Sequence, residues 1–368
     1  VAKALKKNEK ASKTSILKEL AQIVDKGVWE VISKSVLTRA QLRKVIRSSM
    51  FLKEKFTSSG EFDKLKARLV AGGDSQDKTL YDNLSSPTVA QETVMMVLAI
   101  AAIEGRSMAT IDITGAYLEC DFHDDDEVIM TLDPTLTMLL KQIDPSIEGQ
   151  QDTRGYTYVR LKKALYGCVQ SAKLWYDKLC EVLTDAGYTR NDYDQCLFNK
   201  KVDGEQVTIA FHVDDLLITS VNSKLIDQIQ QHLEQNFESI TVNRGNNHSY
   251  LAMNLAMTEN GIELDMIAYV DKCIKDRTFS RKVASPATDD LFDLQSDSTP
   301  LAEEDSKHFH SDVAKLLYLA KRTRGEILTA VSHLSSRVLA PTEDDQRKLD
   351  RILNYLWSTK EKKMLLKK

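Results

Sequence analysis

"TIAFHVDDLLITS", residues 208–220, sets two aspartates side by side between runs of strand-forming apolar residues. Burying a carboxylate among such neighbours is costly unless it is paired or holds a metal. Asp214 and Asp215 therefore ask for a partner elsewhere in the chain. "SMATIDITGAYLECDF" (107–122) offers one, because Ile111 and Ile113 flank Asp112 in a strand-like pattern. Two short strands, each ending in acid, bring two or three carboxylates together. The pair is expected at or beside a tight turn between strands; if the backbone there is extended, alternation sends Asp214 and Asp215 in roughly opposite directions, one to the shared site and the other to its edge. Such a cluster repels itself unless divalent cations neutralise it, and oxygen-only ligands suit Mg²⁺, with Mn²⁺ as the alternative. That is the arrangement of two-metal phosphoryl transfer, in which one ion activates the attacking oxygen and the other stabilises the leaving one. The dipeptide alone is not diagnostic: Asp289-Asp290 and Asp344-Asp345 read as turn pairs.

With 368 residues, 42% of them hydrophobic, the chain is long enough for two or more domains with real cores. Five scattered cysteines without a CxxC pair suggest neither a zinc ribbon nor a disulfide framework, and a reducing compartment fits them best. No stretch approaches the roughly 18 uninterrupted apolar residues of a membrane span, and the N-terminus lacks the apolar core of a signal peptide. The expectation is a soluble intracellular protein, and an opening without methionine suggests a piece of a longer polypeptide. The net charge of −4 is unevenly spread: residues 1–71 hold 17 Lys or Arg against 7 Asp or Glu, a balance of +10 against −14 for the remainder. Such segregation points to a polyanion-facing region joined to an acidic body, where the plain alternative is a solvated lysine-rich tail.

Periodicity and breakers give the organisation. Residues 15–32 read as a helix with Gly27 near its end, and 48–71 as a hairpin around "SSGEF". The run at 92–105 reads as a buried helix and "SAKLWYDKLCEVLTDAGY" as a second one. "CLFNKKVDGEQVTIAFHVDDLLITS" gives two strands about a turn at Asp203-Gly204, 224–238 a helix, and "SYLAMNLAM" a strand. On the 62–71 strand Lys64, Lys66 and Arg68 alternate onto one face, a geometry that neutralises a triphosphate. Arg68 is the stronger candidate, since its fork binds oxygens in pairs. A basic solvated strand is the plain alternative. His308 and His310 flank Phe309 without a zinc pattern, and the acidic run 123–127 containing His123 would repel a nucleic acid and should lie away from its channel.

The motifs "KLKARLVAGGDSQ", "SSPTV", "TIDITGAYLECDF", "RLKKALYGCVQSAKLWYDKL", "YDQCLF" and "FHVDDLLIT" stand in one order and spacing. In this the chain resembles, from about residue 45 to about 358, the reverse transcriptase domain of copia-type (Pseudoviridae) retrotransposon Pol polyproteins. The resemblance implies an α+β right-hand polymerase: fingers, a palm with a small antiparallel sheet, a thumb and a helical connection segment. The expected division is a basic helical extension at 1–32, fingers at 33–105, palm at 106–221, thumb at 222–298 and connection at 299–368, preceding an RNase H domain. It implies RNA-directed DNA polymerisation with two Mg²⁺ ions, on an RNA template and RNA–DNA hybrid, from a DNA or tRNA primer, with deoxynucleoside triphosphates. It implies no membrane, a cytoplasmic setting within virus-like particles, and leaves open whether a monomer or a dimer acts.

Residue by residue, the resemblance gives Asp112, Asp214 and Asp215 the catalytic, metal-holding roles, Asp215 the more peripheral one, with the backbone carbonyl of Ile113 also at the metal. Tyr117 falls where an aromatic ring excludes a 2′-hydroxyl; a half-buried strand aromatic is its plain alternative. Lys66 and Arg68 match the fingers motif, and Tyr166, Gly167 and Gln170 the floor of the nucleotide and template pocket, glycine allowing close backbone approach. His212 and Val213, with Tyr250, Leu251 and Ala252, fall at the primer and template. Trp175 and Tyr176 read as core. Departures are His212 for the usual tyrosine, Val169 for lysine, Ser171-Ala172-Lys173 for Ala-Pro-Arg, Ala252 for glycine, and Ala71-Gly72-Gly73 for Ala-Lys-Gly. Two competing readings are a two-metal nuclease, which would not need Tyr117 or the Lys66 and Arg68 strand, and a domesticated, non-catalytic nucleic-acid-binding relative, which would be free to lose the acids present here.

Overall fold

The computed structural model describes residues 9–56, 62–81, 83–123 and 126–368. The first eight residues, the segment 57–61 with most of the expected "SSGEF" turn, and part of the acidic run after His123 lie outside the described residues.

The N-terminal periodicity forms α1 (Glu9–Asp25), and Gly27, at φ +60°, ends it. The expected helix does not continue to Ile32, because Trp29–Ile32 leave it as strand β1. A capping box of Thr38 and Gln41 starts the short α2 (Arg39–Lys44). β2 (Ile46–Phe56) and β3 (Phe62–Ala71) form the expected hairpin. Next come α3 (Gln91–Glu104), closed by Gly105 at φ +62°, and β4 (Ser107–Ile113). β5 (Ile129–Leu132), α4 (Pro134–Leu140), β6 (Thr157–Leu161) and α5 (Ser171–Asp185) follow. Then come β7 (Thr189–Arg190), β8 (Leu197–Val202), β9 (Glu205–His212) and β10 (Asp215–Ser220). After α6 (Ser223–Asn236) and β11 (Ile240–Asn243), the run read as one strand in "SYLAMNLAM" is two, β12 (Asn247–Tyr250) and β13 (Met253–Thr258). Leu251 and Ala252, both at positive φ, make the turn that splits it. The chain closes with β14 (Gly261–Asp265), α7 (Ile267–Ile274), α8 (Glu303–Ala320), α9 (Leu328–Ser335), α10 (Glu343–Ser358) and β15 (Met364–Lys367).

Three sheets result, ordered β1-β6-β5-β2-β3, β11-β4-β10-β9-β8-β7 and β12-β13-β14-β15. The six-stranded sheet is antiparallel throughout and buried on both faces, Leu216 and Ile218 on one and Leu217 and Thr219, in line with Asp215, on the other. Together with α3, α5, α6 and the C-terminal helices the sheet forms the largest core, which includes Trp175, Phe198, Phe211 and Ile218. A second core joins α1 and α4 to the five-stranded sheet. β5 and β6 belong by sequence to the expected 106–221 unit, yet they pair into the sheet of the β2–β3 hairpin. β11, past residue 221, pairs with β4. Among the described residues no helix is long and apolar enough to cross a membrane.

The edge of β3 would expose unpaired backbone groups, and α1 covers it. The Ser15 hydroxyl donates to the Leu65 carbonyl at 2.8 Å and accepts the Ala67 N–H at 2.9 Å, and the Glu19 carboxylate accepts the Leu69 N–H at 3.0 Å. At its other end Lys26 binds both Glu119 and Glu238. The N-terminal helix thus links the hairpin to the turn after β4 and to the segment before β11. Ser15→Ala should lower stability by about 1–3 kcal/mol by leaving two strand groups unpartnered; a chemical-denaturation midpoint unchanged from the unaltered chain would refute the edge-cover role.

Candidate active site

Register places the acids. Asp215 opens β10 directly opposite Asp112 in β4, and residues directly opposite share a face of the sheet. Asp215 also faces His212 across a two-residue turn, Val213-Asp214, and the Asp214 carbonyl accepts the Ile113 N–H at 3.0 Å. Asp214 therefore sits at the turn itself, so the alternation expected of an extended strand does not separate it from its neighbour. Val213 adopts φ +61°, a conformation that a β-branched residue rarely takes. The Trp175 indole N–H donates to the Val213 carbonyl at 2.8 Å and holds it there. Trp175, expected as core, is indeed buried, and its ring lies 5.3 Å from Phe237.

Electrostatics record the crowding. Burial raises the Asp214 carboxyl above its ordinary range and Asp112 adds to the rise, while Arg68 and Lys66 oppose it. Asp215 is pushed up to about 6, first by burial, then by Asp214 and Asp112, with Lys55 opposing. Among the described residues no three His, Cys, Asp or Glu side chains close into a ready-made cage. The aspartates form an open face instead, with Asp112 exposed and the other two half-buried. Oxygen-only donors, Asp214 and Asp215 among them with raised pKa, with room left for water or phosphate oxygens, fit a hard divalent cation.

Opposite the acids stands the hairpin. Lys64 pairs with Lys55, Lys66 with Lys53, and Arg68 with Phe51, so one face carries five cations rather than the three read from β3 alone. Like charges directly opposite are destabilising. Burial, then Lys66, Lys53 and Arg68, lowers the Lys55 pKa, while Asp112 raises it, so Lys55 feels both the cationic face and Asp112. Sequence reasoning missed Lys53 and Lys55, although the same two-residue alternation was present in "FLKEKF".

Between acids and cations lies an aromatic wall. Arg68 stacks 3.8 Å over the Tyr166 ring and donates to its hydroxyl at 3.1 Å; Tyr117, in a 3₁₀ turn rather than a strand, meets Tyr166 edge-on at 4.7 Å. The Tyr166 hydroxyl is pushed up to about 12, mainly by burial against the opposing pull of Arg68. The Tyr166 carbonyl accepts the Ala71 N–H at 2.7 Å, joining this turn to the end of β3. Gly167, at φ +92°, admits no side chain, since a Cβ there would lie 2.1 Å from the Ala71 carbonyl oxygen, and one at Gly73 would lie 2.0 Å from that of Gly167. Gln170 is buried; its side-chain carbonyl accepts the Gln76 amide at 3.3 Å, and its own amide nitrogen has no hydrogen-bond partner among the described residues. Tyr250 is buried too, its hydroxyl donating to the Ala210 carbonyl at 3.3 Å, which anchors its hairpin.

A profile of the family described as reverse transcriptase (RNA-dependent DNA polymerase) matches residues 28–287, and the chain belongs to that family. Its relatives are copia-type retrotransposon Pol polyproteins. The Retrovirus-related Pol polyprotein from transposon RE2 of Arabidopsis thaliana is 30% identical over 320 residues, covering 86% of this chain and 20% of the relative. The Transposon Ty1-JR2 Gag-Pol polyprotein of Saccharomyces cerevisiae is 24% identical over 365 residues, 95% of this chain and 19% of the relative. The chain thus spans about a fifth of the length of these relatives. A solved structure of the foamy viral protease-reverse transcriptase in complex with RNA/DNA hybrid is 13% identical, with a TM-score of 0.44 over 94% of this chain and 37% of that one.

The crowding of the acids gives a pH-dependent cost. The folded-state pKa of Asp215 lies above its ordinary value of 3.8, so the folded chain is favoured by protonation and loses stability as pH rises from 3.8 through about 6. Asp215→Asn should raise the melting temperature at pH 7.5, and the gain should shrink toward zero by about pH 4. A variant no more stable than the unaltered chain at pH 7.5 would contradict the assigned electrostatics.

Proposed function

We propose that this chain is an RNA-directed DNA polymerase that adds deoxynucleotides to a primer 3′ end on an RNA template. The observation that carries the reading is the Asp112–Asp215 register beside Asp214, set opposite the five-cation face of β2 and β3. Asp112 and Asp214 would hold two Mg²⁺ ions, or Mn²⁺ in their place, with Asp215 and the Ile113 carbonyl contributing more peripherally. When bound, the ions supply charge neutralisation at the α-phosphate and lower the pKa of the primer hydroxyl. The chain's own residues do the rest. Lys53, Lys55, Lys64, Lys66 and Arg68 neutralise the triphosphate, Arg68 as a planar fork preset by Tyr166. Tyr117 presents its ring edge to Tyr166 and its other side to the sugar, where it rejects a 2′-hydroxyl. Gly167 keeps the pocket floor at backbone thickness. His212 and the Leu251-Ala252 turn lie with the primer strand. No side chain acts as a strong general base.

The sheets suggest how the units divide. Fingers comprise the hairpin with β1, β5 and β6; the palm is the six-stranded sheet with α3, α5 and α6; the thumb and connection follow from β12 onward. Template RNA, a tRNA or DNA primer and deoxynucleoside triphosphates are the partners, and cytoplasmic virus-like particles are the setting implied by the retrotransposon relatives.

The test is extension of a DNA primer on an RNA template with Mg²⁺ and four deoxynucleotides. The unaltered chain should extend, and Asp214→Asn should reduce the rate by at least about 10³-fold, the scale of removing a group that acts in the transition state. Extension that survives this substitution would overturn the assignment; an unaltered chain that binds primer–template without extending it would favour a binding role.

A further inference from the structure

The β12–β13 turn is built from two residues that resist its shape. Leu251 and Ala252 stand at φ +48° and +66°, where glycine is the comfortable residue. The arms of the hairpin are fixed to the six-stranded sheet. Tyr250 reaches the Ala210 carbonyl, two residues before His212, and the His248 Nδ1 lies 3.1 Å from the Thr110 hydroxyl, two residues before Asp112. The turn itself is held from elsewhere. Tyr318, in α8 and 67 residues further on, donates its hydroxyl to the Leu251 carbonyl at 3.2 Å. Its ring is fixed in turn: the Arg322 guanidinium lies 3.5 Å over it and donates to the Tyr318 carbonyl at 3.1 Å, and the Tyr269 ring packs at 5.2 Å. No acid is within ion-pair reach of Arg322 among the described residues, and its buried Nε has no hydrogen-bond partner. Stacking on Tyr318, not a salt bridge, therefore sets where this arginine sits.

We propose that Tyr318, clamped by Arg322 and Tyr269, is a positioning residue that tethers the strained Leu251-Ala252 turn and thereby sets the hold on the primer strand beside the catalytic acids. The inference rests on the polymerase reading for the identity of the strand. It assigns a function to the C-terminal helices, which supply a tether instead of a contact with the reacting groups. The nucleotide side of the cleft, built on Arg68, Tyr166 and Tyr117, shares none of these contacts.

The experiment measures binding of a fluorescent DNA primer annealed to an RNA template, by anisotropy, together with the KM for deoxynucleotide in single-nucleotide extension. Tyr318→Phe keeps the ring and removes the tether, and should raise the primer–template Kd about fivefold, the factor for one neutral hydrogen bond of about 1 kcal/mol. The KM for deoxynucleotide should stay unchanged. Ala252→Gly in the Tyr318→Phe background should restore the affinity, because glycine holds the turn without help. Arg322→Lys, which keeps the charge and loses the planar stack, should reproduce the Tyr318→Phe effect. An unchanged Kd in both single variants, a matching rise in the KM for deoxynucleotide, or failure of glycine to rescue would overturn the tether. Because anisotropy needs no turnover, an inactive unaltered chain would defeat the polymerase reading while leaving the tether measurable.

Discussion

Everything at the site depends on the pairing register of β4 with β10. Asp112 lies opposite Asp215, and a slip of one residue would send Asp112 to the apolar face and Ile111 or Ile113 to the cleft. Buried Ile111, Ile113, Leu216 and Ile218 pin the register from below. The same pairing forces three carboxylates together, and the molecule carries the cost in the raised pKa values of Asp214 and Asp215. A second cost, left-handed backbone at Val213, is held by one hydrogen bond from Trp175. Strain and like-charge crowding at one turn have no structural benefit among the contacts seen, and they are accounted for if the acids meet cations during catalysis.

Across the cleft the logic repeats with the opposite sign. Five cations on the hairpin face repel one another, and Lys66, Lys53 and Arg68 add to the burial that lowers the Lys55 pKa. Acids and cations each relieve the other's repulsion in part, Lys55 acting on Asp215 and Arg68 on Asp214. A triphosphate with divalent ions would complete the neutralisation on both sides. The hairpin holds its place because α1 satisfies its edge and, through Lys26, ties it to Glu119 and Glu238 near the other half of the cleft.

Much of this was legible in the residues. "FHVDDLLIT" and "TIDIT" are short, apolar and acid-bearing, so local pattern alone placed Asp112 on a strand and the Asp214-Asp215 pair at or beside the turn between two strands, and the Lys64, Lys66 and Arg68 alternation survived folding intact. What escaped were relations between distant segments. Helical spacing at 15–32 ran on past Gly27 because Val28, Val31 and Ile32 suit either period; only pairing of β1 with β6 decides for strand. The joining of β5 and β6 to the hairpin sheet is a tertiary choice that no window of sequence displays. The burial of Tyr250 and Gln170 is likewise a tertiary outcome that their local sequence does not display. Trp175 looked like core and is, yet its one polar atom carries the second duty.

The central claim is that Asp112, Asp214 and Asp215 form one cation site, and Mn²⁺ binding followed by electron paramagnetic resonance tests it most directly. The chain would be assembled with an RNA template, a chain-terminated DNA primer and the next deoxynucleotide, then titrated with Mn²⁺ beside an Asp112→Asn variant. The account predicts bound Mn²⁺ in the unaltered complex beyond what the nucleotide alone holds, and its loss in the variant. Equal Mn²⁺ binding in both would contradict it.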